Sequence, residues 1–256
     1  MDLPVNHFKR ALHEGRPQIG LWSSLASNIV AEVIADSGFD WILLDNEHAP
    51  NEVSGVLVQL QAMAAGQAMP VVRPAWNDTV LIKRFLDIGT QSFLVPMVQN
   101  ADEARRAVAA TRYPPHGVRG VALGPRANRY GRVKDYFRRA AEEICVLVQV
   151  ETRQSLAEIE AIAAVEGVDG IFIGPSDLAA DMGFLGDSSH PEVKRTIEDA
   201  VARILKCGKA PGFLTGNEDE AKYWLHQGCL FVAVGSDLGL LARQSEALAA
   251  RFKQRL

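Results

Sequence analysis

Cys145-Val146-Leu147-Val148-Gln149-Val150-Glu151 reads as a strand that is apolar on both faces and turns polar only where it stops. A strand with one wet face alternates apolar and polar residues, whereas one in a parallel sheet covered by helices stays apolar throughout. Outward from this run the same kind of segment recurs. Candidate strands fall at Gln18 to Trp22, Trp41 to Asp45, Pro70 to Arg73, Ser92 to Pro96, Gly170 to Ile173, Pro211 to Leu214 and Leu230 to Val234. Between them lie Ile29 to Ser37, Glu52 to Ala65, Asp78 to Asp87, Ala101 to Thr111, Glu192 to Lys206 and Glu218 to Gln227, with apolar residues three and four apart as in helices that bury one face. Asn51, Asn77, Asn100 and Asn217 stand ahead of such stretches as N-caps, and Gly38, Gly89, Gly208 and Gly228 follow as terminators.

Strands alternating with helices define an α/β chain. The expected fold is a closed (β/α)8 barrel, a TIM barrel, formed by residues 1–256 as one domain. Eight units use up the 256 residues, close to the ~250 usual for that barrel. No glycine-rich dinucleotide fingerprint follows the first strand, as an open nucleotide-binding sheet would need. Hydrophobic residues at 48% and charged ones at 23% suffice for a large core and argue against disorder.

A net charge of -4 gives no attraction for a phosphate backbone or an anionic lipid surface, so nucleic acid and membrane are poor partners. The first twelve residues lack the apolar centre of a signal peptide and no spanning run appears later, which makes a cytoplasmic protein the expectation. Cys145, Cys207 and Cys229 stand far apart, without a metal-binding or disulfide pattern.

Barrel chemistry gathers at the carboxyl ends of the strands, so a polar residue matters most where an apolar run stops. The second run stops at Asp45-Asn46-Glu47-His48, the third at Arg73, the fifth at Gln149-Val150-Glu151 and the sixth at Gly174-Pro175-Ser176-Asp177. Glu151 and Asp177 form the pair suited to a hard divalent cation, which takes a few carboxylates and completes its shell with other oxygens. The plainer reading of Asp177 is a cap for the next helix. His48 is the histidine that follows a strand end, and its imidazole can move a proton near neutrality. Arg73 is a permanent charge at the end of a buried strand, fit to face an oxyanion or to pair with a neighbouring carboxylate. Free N–H groups around Gly174 and Ser176 suit the carboxylate of a small acid. Trp22 and Leu214 end the first and seventh strands, where they either shape a pocket or pack the core. No lysine ends a strand, which disfavours a Schiff base.

Tyr113 to Arg132 breaks the rhythm with Pro114, Pro115, Gly117, Gly120, Gly124, Pro125 and four arginines. A loop of that length is usually functional, and its expected place is over the barrel mouth as a wall or lid.

Together these residues carry a family likeness. Gly38-Phe39-Asp40-Trp41, Asp45-Asn46-Glu47-His48-Ala49-Pro50, Pro70-Val71-Val72-Arg73-Pro74, Leu94-Val95-Pro96-Met97-Val98, Arg112-Tyr113-Pro114-Pro115, Gln149-Val150-Glu151-Thr152 and Phe172-Ile173-Gly174-Pro175-Ser176-Asp177-Leu178 resemble the class II pyruvate-dependent hydroxyketoacid aldolases of the HpcH/HpaI family. The resemblance implies reversible cleavage of a 4-hydroxy-2-oxo acid into pyruvate and an aldehyde, with 4-hydroxy-2-oxoheptanedioate as the expected substrate and succinate semialdehyde as the aldehyde. Alternatives are 2-dehydro-3-deoxyglucarate or 2-dehydro-3-deoxyrhamnonate, or a barrel that binds a small acid without turning it over. It further implies a divalent ion (Mg2+, Mn2+ or Co2+) on Glu151 and Asp177 and no organic cofactor. His48 would be the base, Arg73 the enolate stabiliser, Asp45 a catalytic neighbour, and Gln149, Gly174, Ser176 and Asp177 the contacts to the pyruvyl part. Asp87 would support the histidine from a neighbouring subunit. The assembly implied is a homohexamer of dimers, with a last helix from Ser236 to Leu256 packing on a partner barrel.

Overall fold

Side chains alternate inward and outward along a strand, and in this chain each face builds its own core. Eight parallel strands close in sequence order: β1 (Gln18–Ser23), β2 (Trp41–Asp45), β3 (Met69–Arg73), β4 (Ser92–Val95), β5 (Cys145–Val150), β6 (Gly170–Ile173), β7 (Ala210–Leu214) and β8 (Phe231–Ser236). β1 pairs with both β2 and β8, so the sheet has no open edge. The helices are α1 (His7–His13), α2 (Asn28–Ala35), α3 (Val53–Ala62), α4 (Thr79–Asp87), α5 (Ala101–Thr111), α6 (Tyr136–Arg139), α7 (Arg153–Ala157), α8 (Ile159–Ala163), α9 (Pro175–Asp181), α10 (Pro191–Lys206), α11 (Glu218–His226) and α12 (Asp237–Lys253). The structure, a computed structural model, describes residues 1–253.

Outward residues such as Ile42, Leu44, Val72, Val146, Val148 and Ile171 pack with Ile34, Val56, Ile82, Ala107, Ile162 and Ile204 of the helices. Inward residues, among them Trp22, Trp41, Leu43, Val71, Leu147, Phe172 and Phe231, fill the barrel itself. Two cores on the two faces of one sheet are why the strands read as unbroken apolar runs. Phe8 of α1 joins the inner core from below, its ring 5.7 Å from Trp41 and 6.1 Å from Phe231. Gly20 makes room for this layer, since a Cβ there would fall 2.2 Å from the Trp41 ring. Emptying the Trp41 position would cost about 3–5 kcal/mol.

Two of the four expected caps hold: Asn100 accepts from the Glu103 amide and Asn217 from the Glu220 amide. The other two shift. α4 is capped by Asp78, which accepts from the Leu81 amide at 2.8 Å, while Asn77 donates to the Glu103 carbonyl. α3 starts after Glu52 without a side-chain cap, and Asn51 accepts instead from Gln59. Asp and Asn serve equally as caps, so adjacent ones are told apart only by the phase of the helix that follows. The expected terminators Gly38, Gly89, Gly208 and Gly228 all adopt positive φ, between +71° and +102°.

The 113–132 loop does not cover the mouth of its barrel. It follows α5 and leads through α6 into β5, so it joins a helix to a strand and lies at the amino ends of the strands. Its Arg126 donates to the Ile88 carbonyl at 2.7 Å and lines, with Pro70, Thr90, Gln91 and Ile144, a cavity of about 150 Å³ at that end. Buried Arg119 lies 4.5 Å from the Tyr113 ring centroid and 3.3 Å from Asp87. Loop length signals importance, but the order of flanking elements decides which end of a barrel a loop serves.

The final helix starts one residue later than expected, at Asp237, and its expected continuation through residues 254–256 lies outside the described residues. Of its described residues only Asp237 is buried, and Leu238, Leu240, Leu241, Leu248 and Phe252 are exposed. Asp237 fastens the first turn to the chain after β1 by accepting from the Ser23 hydroxyl and from the Ser24 and Leu25 amides.

Candidate active site

The inward rows of the strands continue to the upper rim and turn polar there. Leu43 is followed two residues on by Asp45, Val71 by Arg73, and Leu147 by Gln149 and then Glu151. Asp45 and Arg73 are also register partners across β2 and β3. That register places a carboxylate beside a guanidinium: Arg73 Nε donates to Asp45 Oδ1 at 2.9 Å and Nη2 to Oδ2 at 2.7 Å. Its Nη1 stands 2.8 Å from Glu47 Oε2, and the guanidinium lies 4.8 Å from the Trp22 ring centroid. Trp22 Nε1 donates to Asp45 Oδ2 in turn. Arg73 is therefore both charged and rigid, the preorganisation that an oxyanion site requires.

Burial pushes the Asp45 carboxyl upward, but the bonds and charge of Arg73 outweigh it and hold the group below the usual carboxylate range. Glu47 goes the other way. Its burial exceeds the pull of Arg73, and the negative charges of Asp45 and Asp177 add to the rise.

Glu151 lies at the end of β5 and is almost fully buried. Its Oε1 accepts from the Met97 amide at 2.9 Å, and its Oε2 from Gln149 Nε2. Burial raises its pKa to about 7 despite those bonds, with Asp177 and Glu47 contributing repulsion. Met97 takes a left-handed backbone, φ +53°, just after Pro96, and in that conformation its N–H meets the carboxylate. Gln149 Oε1 is buried without a hydrogen-bond partner. Asp177 is the third residue of α9, behind Gly174, Pro175 and Ser176, and does not cap that helix.

His48 sits in the turn after β2, with its side chain 67% exposed and Nε2 3.9 Å from Glu47 Oε2. Trp22, His48, Arg73, Gln149, Gly174, Ser176, Asp177 and Leu214 line one cavity of about 520 Å³. A second lobe of about 640 Å³ shares Trp22, His48, Arg73 and Leu214 and adds Asp45. The two lobes thus bring together every expected site residue except Glu151, which stands behind the first lobe against Gln149 and Gly174, and Asp87. Asp87 ends α4, at the opposite end of the barrel from His48 of the same chain, and pairs there with Arg119.

Two participants were not singled out by sequence reasoning. Glu47 carried a signal, being two residues beyond Asp45 in the same acidic turn. Met97 carried none, because it acts through a backbone amide.

No group of three or more His, Cys, Asp and Glu side chains converges among the described residues. What the mouth does hold is a cluster of acidic side chains, Asp45, Glu47, Glu151 and Asp177, around Arg73, with Arg243 farther out in the second lobe. An unpartnered amide oxygen from Gln149 adds a further hard donor. Such oxygen donors fit a hard divalent cation held by Glu151 and Asp177.

The upper rim is where barrels of this architecture carry their chemistry, and a rigid guanidinium beside oxygen donors for a cation suits a small organic acid. The protein is by class a barrel enzyme of that kind. The chain belongs to the HpcH/HpaI aldolase/citrate lyase family, which matches residues 18–244. It is similar to the 4-hydroxy-2-oxo-heptane-1,7-dioate aldolase of Shigella flexneri, 60% identical over 248 residues that cover 96% of this chain and 93% of that protein. The Escherichia coli protein of the same name is also 60% identical, over 96% of this chain and 95% of its own. Among solved structures, an HpcH/HpaI aldolase/citrate lyase family protein from Burkholderia cenocepacia J2315 matches with a TM-score of 0.94 and 38% identity, over 97% of this chain and 100% of that one.

Proposed function

We propose that the chain is a class II aldolase that splits 4-hydroxy-2-oxo acids into pyruvate and an aldehyde, with 4-hydroxy-2-oxoheptane-1,7-dioate giving pyruvate and succinate semialdehyde. The observation that carries this reading is the rigid Arg73 on the wall of the cavity that Gln149 and Asp177 also line.

In the cleavage direction His48 takes the proton of the 4-hydroxyl group, and the C3–C4 bond breaks as the aldehyde carbonyl forms. The electron pair passes to C3 and into the enolate oxygen of pyruvate. Arg73, fixed by Asp45 and Glu47, donates to that oxygen as its charge develops, where a preorganised donor has its largest effect. A proton returned to C3 completes pyruvate. Glu151 and Asp177 would hold Mg2+, Mn2+ or Co2+, which when bound supplies a Lewis acid for the oxygens of the pyruvyl half. Gln149, Gly174 and Ser176 orient that half, while Trp22 and Leu214 flank the aldehyde side. No lysine lines either lobe among the described residues, in keeping with a reaction that needs no Schiff base.

The exposed row on α12 supports assembly: a 17-residue helix that buries only Asp237 leaves Leu241, Leu248 and Phe252 for a second copy of the chain. In a hexamer of that kind Asp87 would reach the histidine of a neighbouring copy.

Pyruvate release from 4-hydroxy-2-oxoheptane-1,7-dioate, with and without a chelator, tests the reading. Release should stop with chelator and return with Mg2+ or Mn2+, and no release under either condition would refute it.

A further inference from the structure

Gln149, Gly174, Ser176 and Asp177, which orient the pyruvyl half, line the first lobe of the mouth and not the second. The second runs from Trp22, His48, Arg73 and Leu214 to the first two turns of α12, where Leu240, Arg243 and Gln244 line it. Trp22, His48, Arg73 and Leu214 also line the lobe of Gln149 and Asp177, so the two lobes meet where the C–C bond would break. A substrate with its oxo acid in the first lobe therefore has the second open to its aldehyde half.

The charges of the second lobe point to what that half carries. Asp45 and Arg73 neutralise one another, and Glu218 stands 3.9 Å from Lys222. Arg243 has as its partner Glu246, 2.7 Å away on the next turn, in a pair whose side chains are 75% and 60% exposed. An exposed pair of this sort is worth little and exchanges readily for a better acceptor. A guanidinium fork matches a carboxylate in two parallel hydrogen bonds. The helix that carries it is anchored: the Asp237 bonds to Ser23, Ser24 and Leu25 hold its start less than two turns before Arg243.

We propose that Arg243 sets substrate specificity by receiving a second carboxylate at the far end of the aldehyde half, three carbons beyond the 4-hydroxyl carbon. Resting on the aldolase reading, this names the residue that would favour its diacid over an acid with an uncharged tail of equal length.

The test compares kcat/KM for 4-hydroxy-2-oxoheptane-1,7-dioate with that for 4-hydroxy-2-oxoheptanoate, which releases butanal in place of succinate semialdehyde. Arg243→Met should lower the diacid-to-monoacid ratio at least about 10-fold, the usual range for losing a charge-assisted bond. Arg243→Glu should lower it further. Arg251→Met, an exposed arginine two turns along the same helix, should leave it as in wild type. An unchanged ratio in Arg243→Met, or an equal fall in Arg251→Met, would overturn the assignment while pyruvate release continues. A wild-type enzyme releasing pyruvate from neither acid would overturn the aldolase reading and this assignment together.

Discussion

Gly174 leaves no room for a side chain beside Glu151: a Cβ at position 174 would lie 2.3 Å from Glu151 Oε2 and 2.8 Å from its Cβ. The backbone does not require glycine there, because φ at 174 is -83°, open to any residue. The requirement comes from a buried carboxylate already bonded to Met97 and Gln149. Gly174→Ala should therefore fold but displace Glu151, weakening divalent-ion binding and lowering pyruvate release on the order of 100-fold. Calorimetric titration with Mn2+, alongside circular dichroism, measures both halves of this statement. Wild-type affinity in the alanine variant would show that the carboxylate does not hold the ion.

Asp45→Asn should be costly for a different reason. It breaks a bidentate pair in which both side chains are nearly inaccessible to solvent and leaves Arg73 with a buried charge insufficiently matched. Removing one partner of a buried pair typically destabilises by about 3–5 kcal/mol. Urea unfolding at pH 7 should show a loss of this size together with lost turnover. A stable variant with lost turnover would instead give Asp45 a purely chemical role.

The barrel was legible because its evidence is repeated eight times. Each strand is apolar on both faces, so shifting a boundary by one residue, as at Ser23 or Met69, leaves the topology unchanged. Rim residues Asp45, Arg73, Gln149 and Glu151 were legible for a related reason, since period two carries an inward row to the mouth and a polar residue in that row is conspicuous. The placement of the 113–132 loop failed because composition says nothing about which end of a barrel a loop occupies. Met97 was invisible since any residue type offers the same amide. The family likeness, not the strand pattern, drew attention to Asp87, whose expected partner is the histidine of a neighbouring subunit and not that of its own chain.

At the lower end, Glu143 ties the start of the chain to the barrel, accepting from the Asn6 amide at 2.7 Å and from Arg10 at 2.8 Å. Burial works to raise its pKa, but those two bonds prevail and hold it below the ordinary value. A carboxyl depressed in the folded state gives stability that is present above its unfolded pKa of about 4.3 and is lost as pH falls through the lower folded value. Glu143→Gln should then cost on the order of 1–2 kcal/mol at pH 7, and the gap from wild type should close below that window. Thermal unfolding from pH 7 down to pH 3 checks it, and a gap that widened toward acid would contradict the sign.

His48 offers a separation of activity from stability. Its side chain is 67% exposed, with Nε2 3.9 Å from Glu47 Oε2. Replacing such a side chain usually changes stability by no more than about 0.5 kcal/mol. A general base, by contrast, accounts for at least about 100-fold in rate. His48→Ala should accordingly unfold at the wild-type temperature yet cleave the hydroxy-oxo acid at least about 100-fold more slowly. Because the ring opens to solvent, added imidazole has access to the gap and should restore part of the rate in proportion to its neutral form. Near-wild-type cleavage in the variant would move the base to Glu47, whose raised pKa suits it to accept a proton at the same rim.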